Sequence, residues 1–308
     1  MPEVRNGAGR DIALVLGAGG ARGLAHIGVI EVLEAAGFRI AAIAGSSMGA
    51  LVGGVHAAGR LALYHDWVSE LERGDVLRLL DFAFGHPGLI KGEKIIGVMR
   101  ELIGEHRIEE LPIPFTAVAT DLATQREVWL NDGPLFDAVR ASMAIPMVFT
   151  PHRVGERELV DGGLLAPVPI AATRQHGVDL VVAVDVNARV PAGLRNPNSV
   201  ATNPPGVDLA PAAEANGEGL RAKLNALLEG LRERRPPAPP QPGLLDLMSR
   251  SLDTMQSQLS RLQLALDPPD LLIRVPRETC LFYEFWRARE VIAAGRAAAL
   301  RALQAAGP

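Results

Sequence analysis

A chain of 308 residues with 48% hydrophobic and 21% charged residues can bury a large core, as one big domain or two modest ones. Its formal charge of -4, with no polybasic stripe, excludes a general electrostatic pull toward nucleic acid. The single cysteine, Cys280, excludes an internal disulfide framework, fits a reducing compartment and reads as a packing residue.

Residues 11 to 16 read as a first core strand. Arg5 and Arg10 ahead of that run give it a superficial likeness to a signal peptide. The run is short and turns at once into glycines, so a cytoplasmic protein is the expectation. Gly17-Ala18-Gly19-Gly20-Ala21-Arg22-Gly23 is a glycine loop, and Leu24 to Ala36 a helix with Ile27, Ile30 and Leu33 at helical spacing. Gly37 stands at a C-cap position. Ile40 to Ala44 is a second buried strand, which Gly45-Ser46-Ser47-Met48-Gly49 turns directly into a helix of small residues, Ala50 to Ala58. The charge-free stretch from Ile40 to Gly59 is broken by Gly and Ser and makes a poor membrane span. Strand, loop, helix, strand, turn and helix in this order imply parallel strands joined by a right-handed crossover.

Residues 61 to 110 look helical, interrupted around Gly85-His86-Pro87-Gly88. Strands are expected at Pro114 to Thr120 and Glu127 to Leu130, and a helix from Leu135 to Ser142. A short strand, Glu158 to Val160, leads into Asp161-Gly162-Gly163, and Asp179 to Val186 is an apolar run of the central parallel kind. From Ala188 to Gly243 the composition shifts to Pro, Asn, Ala and Gly, the mark of a linker or flap without a core. Within it, Leu220 to Leu231 with Arg221, Lys223, Arg232 and Arg234 form a basic amphipathic segment, suited to anionic lipid or to docking on the parent domain. Leu245, Met248, Leu252, Met255, Leu259, Leu262 and Leu266 alternate by three and four. Packing of that seam onto the sheet is the expectation, with a second copy of the chain as the other reading. Leu271 to Val275 offers a last strand and Leu281 to Leu303 a terminal helix.

The chemistry centres on Ser47. A G-x-S-x-G turn between strand and helix is a nucleophile elbow: the serine is held in a strained conformation, and Gly45 and Gly49 leave room where the two backbones crowd. The following helix aims its N–H groups back at the serine, where an oxyanion would develop. The loop at 17 to 23 fails as a dinucleotide fingerprint, because Arg22 stands where the third glycine belongs, and it lacks the Lys of a Walker loop. Two readings stay open: a backbone anion nest that would serve as an oxyanion hole beside the elbow, and a plain tight turn.

Seven histidines are present, and none falls where an α/β-hydrolase triad needs it. His26 and His56 read as half-buried packing residues, and only His152 and His176 follow the serine in the right order. Among acids at strand ends, Asp121, Asp161 and Asp185 all suit turn-forming roles. Gly162 and Gly163 would let Asp161 approach another loop unobstructed. A carboxylate of ordinary pKa is a poor base, so a Ser–Asp pair needs a partly desolvated Asp and strong oxyanion stabilisation.

Gly19-Gly20-Ala21-Arg22-Gly23, Gly45-Ser46-Ser47-Met48-Gly49 and Asp161-Gly162-Gly163, in that order, resemble the patatin-like phospholipases. The similarity is closest to their bacterial branch, related to the neuropathy target esterase catalytic domain. It runs from about Asp11 to Asn187, includes Gly88-Leu89-Ile90-Lys91-Gly92-Glu93-Lys94 and Val118-Ala119-Thr120-Asp121-Leu122, and resumes from Met248 to Ile273. The resemblance implies an α/β fold of three layers, α/β/α, with a mostly parallel central sheet. A catalytic core at 11–187 would be followed by a linker or flap at 188–243 and by C-terminal helices and a strand, 244–308, completing the core. It implies Ser47 as nucleophile and Asp161 as base, with no histidine, and backbone amides of Gly19 to Gly23 as oxyanion hole. One departure is visible: the family's glycine box, read back from Gly23, begins at Ala18. The implied activity is hydrolysis of phospholipid, lysophospholipid or another acyl ester through an acyl-serine, with no cofactor and no metal. The alternatives are an acyltransferase or thioesterase on the same elbow, or a regulatory member of the fold. Peripheral contact with the inner membrane face and a homo-oligomer are both left open.

Overall fold

The structure, a computed structural model, describes residues 9–81, 90–178, 180–189 and 244–306. The basic segment at 220–231 and nearly all of the expected flap lie outside these residues. By its contacts the chain divides into a unit of residues 1–199 and 252–308 and a second of 200–251, and the first unit holds the whole sheet.

Eight strands make one sheet: β1 (Asp11–Leu16), β2 (Arg39–Ser46), β3 (Phe115–Asp121), β4 (Arg126–Leu130), β5 (His152–Val154), β6 (Arg157–Asp161), β7 (Leu180–Ala188) and β8 (Leu271–Pro276). The order is β5-β6-β3-β2-β1-β7-β8, with β4 also paired to β3. Strands β3, β2, β1, β7 and β8 run parallel, and β4, β5 and β6 are antiparallel additions. The eight helices described are α1 (Ala25–Ala35), α2 (Met48–Ala57), α3 (Leu61–Ser69), α4 (Arg73–Arg78), α5 (Glu93–Ile103), α6 (Leu135–Ser142), α7 (Leu244–Leu266) and α8 (Ala288–Ala306).

Alternation along β1 sorts the two sheet faces. Ile12, Leu14 and Leu16 enter the main core with residues of α1, α2, α6 and α8, while Ala13 and Val15 join Val168, Ile170, Val181 and Ala183 on the other face. That second face is covered by the 3-10 turn Ile170–His176 and by Leu264 of α7. Helix, sheet and helix layers result, as parallel strands buried on both faces require. Gly37, at φ 89°, ends α1: its N–H reaches Glu34 O at 2.9 Å and the Phe38 N–H reaches Leu33 O at 3.1 Å, a Schellman closure.

Two expectations are corrected and one strand is added. Residues 281–287 are not the start of the last helix, which begins at Ala288. Glu284 Oε2 instead accepts from Leu281 N at 2.8 Å and Arg287 Nη1 at 3.0 Å, folding the segment into a turn whose Phe282 carbonyl accepts from Ala21 N at 2.7 Å. The leucine seam of α7 is split: Leu252 and Leu259 are half-buried, and three of its other residues face away from the core. Met255, Leu262 and Leu266 are 59%, 56% and 77% exposed, whereas Ser257 and Ser260 are buried. Strand β5 was not anticipated; it forms a hairpin with β6 around Gly155, at φ 60°.

Candidate active site

Ser47 sits between β2 and α2 at φ 56° and ψ -122°, a region that costs a non-glycine residue of order 1–3 kcal/mol. Its N–H donates to Ser142 Oγ at 2.9 Å, and the Ser142 hydroxyl donates in turn to Val118 O at 2.6 Å. The strained turn is thus tied to β3 through the last residue of α6. Backbone crowding fixes it from the other side. A Cβ built on Gly49 would lie 2.1 Å from Leu16 O, and one on Gly45 would lie 2.4 Å from Gly49 O.

Strand β3 brings the acid to the serine. One edge of β3 pairs with β4 over Ala117–Asp121. The opposite edge is shared: β2 takes Phe115–Val118, ending on the pair Ser46–Val118, and β6 takes Ala119–Asp121, ending on the pair Asp161–Ala119. Ser46 and Asp161 therefore pair with adjacent residues, and the two strand ends meet head to head. Gly162 allows the approach, since a Cβ there would lie 2.0 Å from Val118 O.

Asp161 is 2% exposed, and its Oδ1 accepts from Gly163 N at 2.7 Å. Burial pushes the carboxyl up to about 6; the Ser47 hydroxyl and the Gly163 N–H, favouring the charged form, oppose that rise. Buried Oδ2 makes no bond of full hydrogen-bond geometry, to Ser47 or to any other described group. Unliganded sites commonly show such slack.

The glycine loop lies alongside, at the end of β1, and is clamped from several sides. Gly17 N reaches Val184 O at 3.1 Å and Ala18 N reaches Pro167 O at 2.8 Å. Asn187 Nδ2 donates to Ala18 O at 2.7 Å, and Arg22 Nε donates to Gly19 O at 3.2 Å while its Nη2 meets Asp253 Oδ1 of α7 at 2.9 Å. Two of the five expected anion donors are committed elsewhere: Ala21 N to Phe282 O and Arg22 N to Gly19 O. No described residue accepts from Gly19 N or Gly20 N, so those two amides are uncommitted. Gly23 serves contact with the elbow, its Cβ position lying 2.5 Å from Met48 Cγ.

His26 is fully buried, not half-buried. Its Nε2 lies 2.8 Å from Gly17 O, and a carbonyl can only accept, so Nε2 carries the proton. Burial pushes its pKa down to about 4, the same cause acts on His56, and both rings are neutral near pH 7. No described histidine bonds to Ser47 or Asp161. Asp121 accepts from Ala123 N and Thr124 N, and the Thr124 bond holds its pKa low, which is the turn-former reading. Asp185, pushed up by burial, accepts from Asn187 N beside the glycine loop. Among the described residues no group of His, Cys, Asp and Glu could hold a metal ion. A polar cleft between α3 and α8, lined by His65, Asp66, Arg289 and Arg296, contains none of the residues described above.

Four participants escaped the sequence reading: Ser142, Asn187, Asp253 and Gln256, whose Nε2 is 2.8 Å from the Cβ position of Gly163. Asn187 alone carried a usable signal, at the C-terminal end of a central parallel strand, where open α/β sheets bind ligands.

The family described as patatin-like phospholipase matches residues 14–174. An uncharacterized NTE family protein of Mycobacterium tuberculosis is 43% identical over 338 residues, covering 98% of this chain and 94% of its own. Lysophospholipase nte1 of Emericella nidulans is 32% identical over 184 residues, covering 58% of this chain and 12% of its own. Among solved structures, VipD from Legionella pneumophila matches with a TM-score of 0.44 and 14% identity over 96% of this chain and 67% of that one. The chain belongs to the patatin-like phospholipase family, in its bacterial NTE-related branch.

Proposed function

We propose that the protein is a lipid acyl hydrolase, acting on phospholipid, lysophospholipid or a related carboxylic ester with a Ser47–Asp161 dyad. The observation that carries this reading is the environment of Asp161. A buried carboxyl shifted to about 6, beside the hydroxyl of a strained serine, is a base matched to work just above that pH. The activity also suits the family and the name of the fungal relative, a lysophospholipase.

In this mechanism Ser47 Oγ attacks the ester carbonyl carbon and its proton passes to Asp161 Oδ2. The carbonyl oxygen becomes an oxyanion facing the Gly19 and Gly20 N–H groups. Each such donor is worth about 2.7–4 kcal/mol of barrier in well-placed sites, and proton transfer to a positioned base contributes about 10²–10⁴-fold. Collapse expels the alcohol, which takes the proton from Asp161, and leaves an acyl-serine. Water then attacks the acyl carbon, Asp161 takes the water's proton, and Ser47 departs reprotonated with release of the fatty acid. The Ser142 clamp on Ser47 N and the crowding around Gly45 and Gly49 keep the hydroxyl in attack position.

Fluorophosphonate should label Ser47 alone, and Ser47→Ala should abolish release of fatty acid from a lipid panel read by mass spectrometry. Alcohol and thiol acceptors added to the assay should leave free acid as the main product. Full turnover by Ser47→Ala would overturn the assignment, and dominant transfer to the acceptors would convert it to an acyltransferase.

A further inference from the structure

Helix α7 turns several polar side chains inward beside Leu264. Asp253 pairs with Arg22, Gln263 Nε2 donates to Leu165 O at 2.7 Å, and Ser257 and Ser260 are buried against the domain. Met255, Leu262 and Leu266 are each more than half exposed, and they share the solvent side with Thr254, Gln258 and Arg261. Ordinary surface helices do the reverse, burying the apolar stripe.

A second apolar feature adjoins the same loop. The turn that holds Ala21 N through Phe282 O carries a cluster of Phe282, Tyr283 and Trp286, with rings 5.3 Å and 6.2 Å apart, and Tyr283 is 43% exposed. The glycine loop is therefore anchored to an outward-facing aliphatic helix by Arg22 and to an aromatic turn by Ala21.

Charge on this face fits an anionic surface. From Leu252 to Leu266 the helix carries one carboxylate, Asp253, and it is used inward. Arg261 of α7 and Arg274 of β8 are exposed, and both act to lower the pKa of Asp185, which places two exposed cations around the end of β7; Arg22 is buried and taken up by Asp253. The chain as a whole is acidic, at -4.

Resting on the lipid-hydrolase reading, we propose that α7 from Met255 to Leu266, with the aromatic turn at 282–286, docks onto the surface of an anionic phospholipid bilayer and presents the glycine loop to it. The inward bonds of α7 survive such docking, and its apolar side chains would enter the interface to a depth of about 5–10 Å. No described helix is long and apolar enough to cross a membrane, so α7 would lie along the surface. A second copy of the chain fits this face less well. A two-helix seam needs both of its alternating rows open, and the Leu252 and Leu259 row is half-buried against the domain.

The test is co-sedimentation of the full chain with phosphatidylglycerol–phosphatidylcholine vesicles, alongside hydrolysis of soluble p-nitrophenyl butyrate. Met255→Glu/Leu262→Glu should weaken vesicle binding at least tenfold and leave the soluble ester rate unchanged. Arg261→Glu should lower affinity severalfold for anionic vesicles only, and Leu300→Glu, at an exposed position on α8, should change neither. Vesicle binding by the double variant equal to wild type overturns the proposal. So does a wild-type dimer that the double variant turns into a monomer without change in vesicle binding. Absence of ester hydrolysis in every protein would sink the hydrolase reading alone, since binding is measured without turnover.

Discussion

The elbow and helix α7 flank the same glycine loop, yet they are attached by different physics. At the elbow, backbone meets backbone: Gly49 against Leu16, Gly45 against Gly49, and Gly162 against Val118, all closer than a side chain allows. At α7, side chains reach across: Asp253 to Arg22 and Gln263 to the Leu165 carbonyl. Backbone crowding admits one geometry and tolerates no substitution. Side-chain clamps are worth about 1 kcal/mol each and leave their helix adjustable. The atoms proposed to react sit on the rigid part, and the face proposed to meet lipid sits on the adjustable one.

The largest break in this contrast comes from Gly49→Ala, whose methyl has only backbone atoms to displace. It should cost roughly 4 kcal/mol or more, read as loss of a cooperative melt or of soluble protein. Asp161→Asn comes next. The rate should fall by about 10³-fold while the protein becomes more stable above pH 6. The sign follows from the raised carboxyl: between its ordinary value of 3.8 and about 6 the native state holds the proton more tightly than the unfolded chain, so stability falls as pH rises through that window and then stays level. Removing the charge should return roughly 1–3 kcal/mol at pH 7.5 in a denaturant titration. Neutral His26 and His56 act the other way: the unfolded chain takes up protons from 6.5 downward, and their stabilisation is lost as pH falls toward 4. The Asn variant should therefore lose stability more steeply on acidification than wild type.

Ser142→Ala sharpens the comparison within the rigid part. It leaves the Ser47 N–H buried without its acceptor, a cost of about 1–3 kcal/mol. Because the serine's placement is what it disturbs, kcat should fall more than KM changes. Last is Asp253→Asn, which takes the charge from the partner of buried Arg22 but keeps an acceptor oxygen, and should cost about 1–3 kcal/mol with an unchanged rate on a soluble ester. A large loss of rate there would mean that α7 belongs to the rigid part after all.

What was legible in the sequence follows the same division. Ser47, Asp161 and the glycine loop could be read because close backbone approach demands glycine at fixed spacing, and glycine spacing is local. Helix α6 and strand β1 were bounded as observed, since each carries its periodicity and its stop within a few residues. Ser142 and Asn187 gave little sign of their roles, because each depends on tertiary register: one at the end of a helix lying over β3, the other near the end of a central strand. The heptad of α7 announced a helix with an apolar row, yet periodicity does not say which side turns inward. There the buried polar partners Arg22 and the Leu165 carbonyl decided the orientation.

The central claim is that Asp161, without imidazole, takes the proton of Ser47. It is tested most directly by the pH dependence of fluorophosphonate labelling of Ser47, followed by mass spectrometry in wild type and Asp161→Asn. The account predicts a wild-type rate that climbs through about pH 6 to a plateau, and a low rate without that step in the variant. An unchanged step in Asp161→Asn would assign the proton to another group and contradict the account.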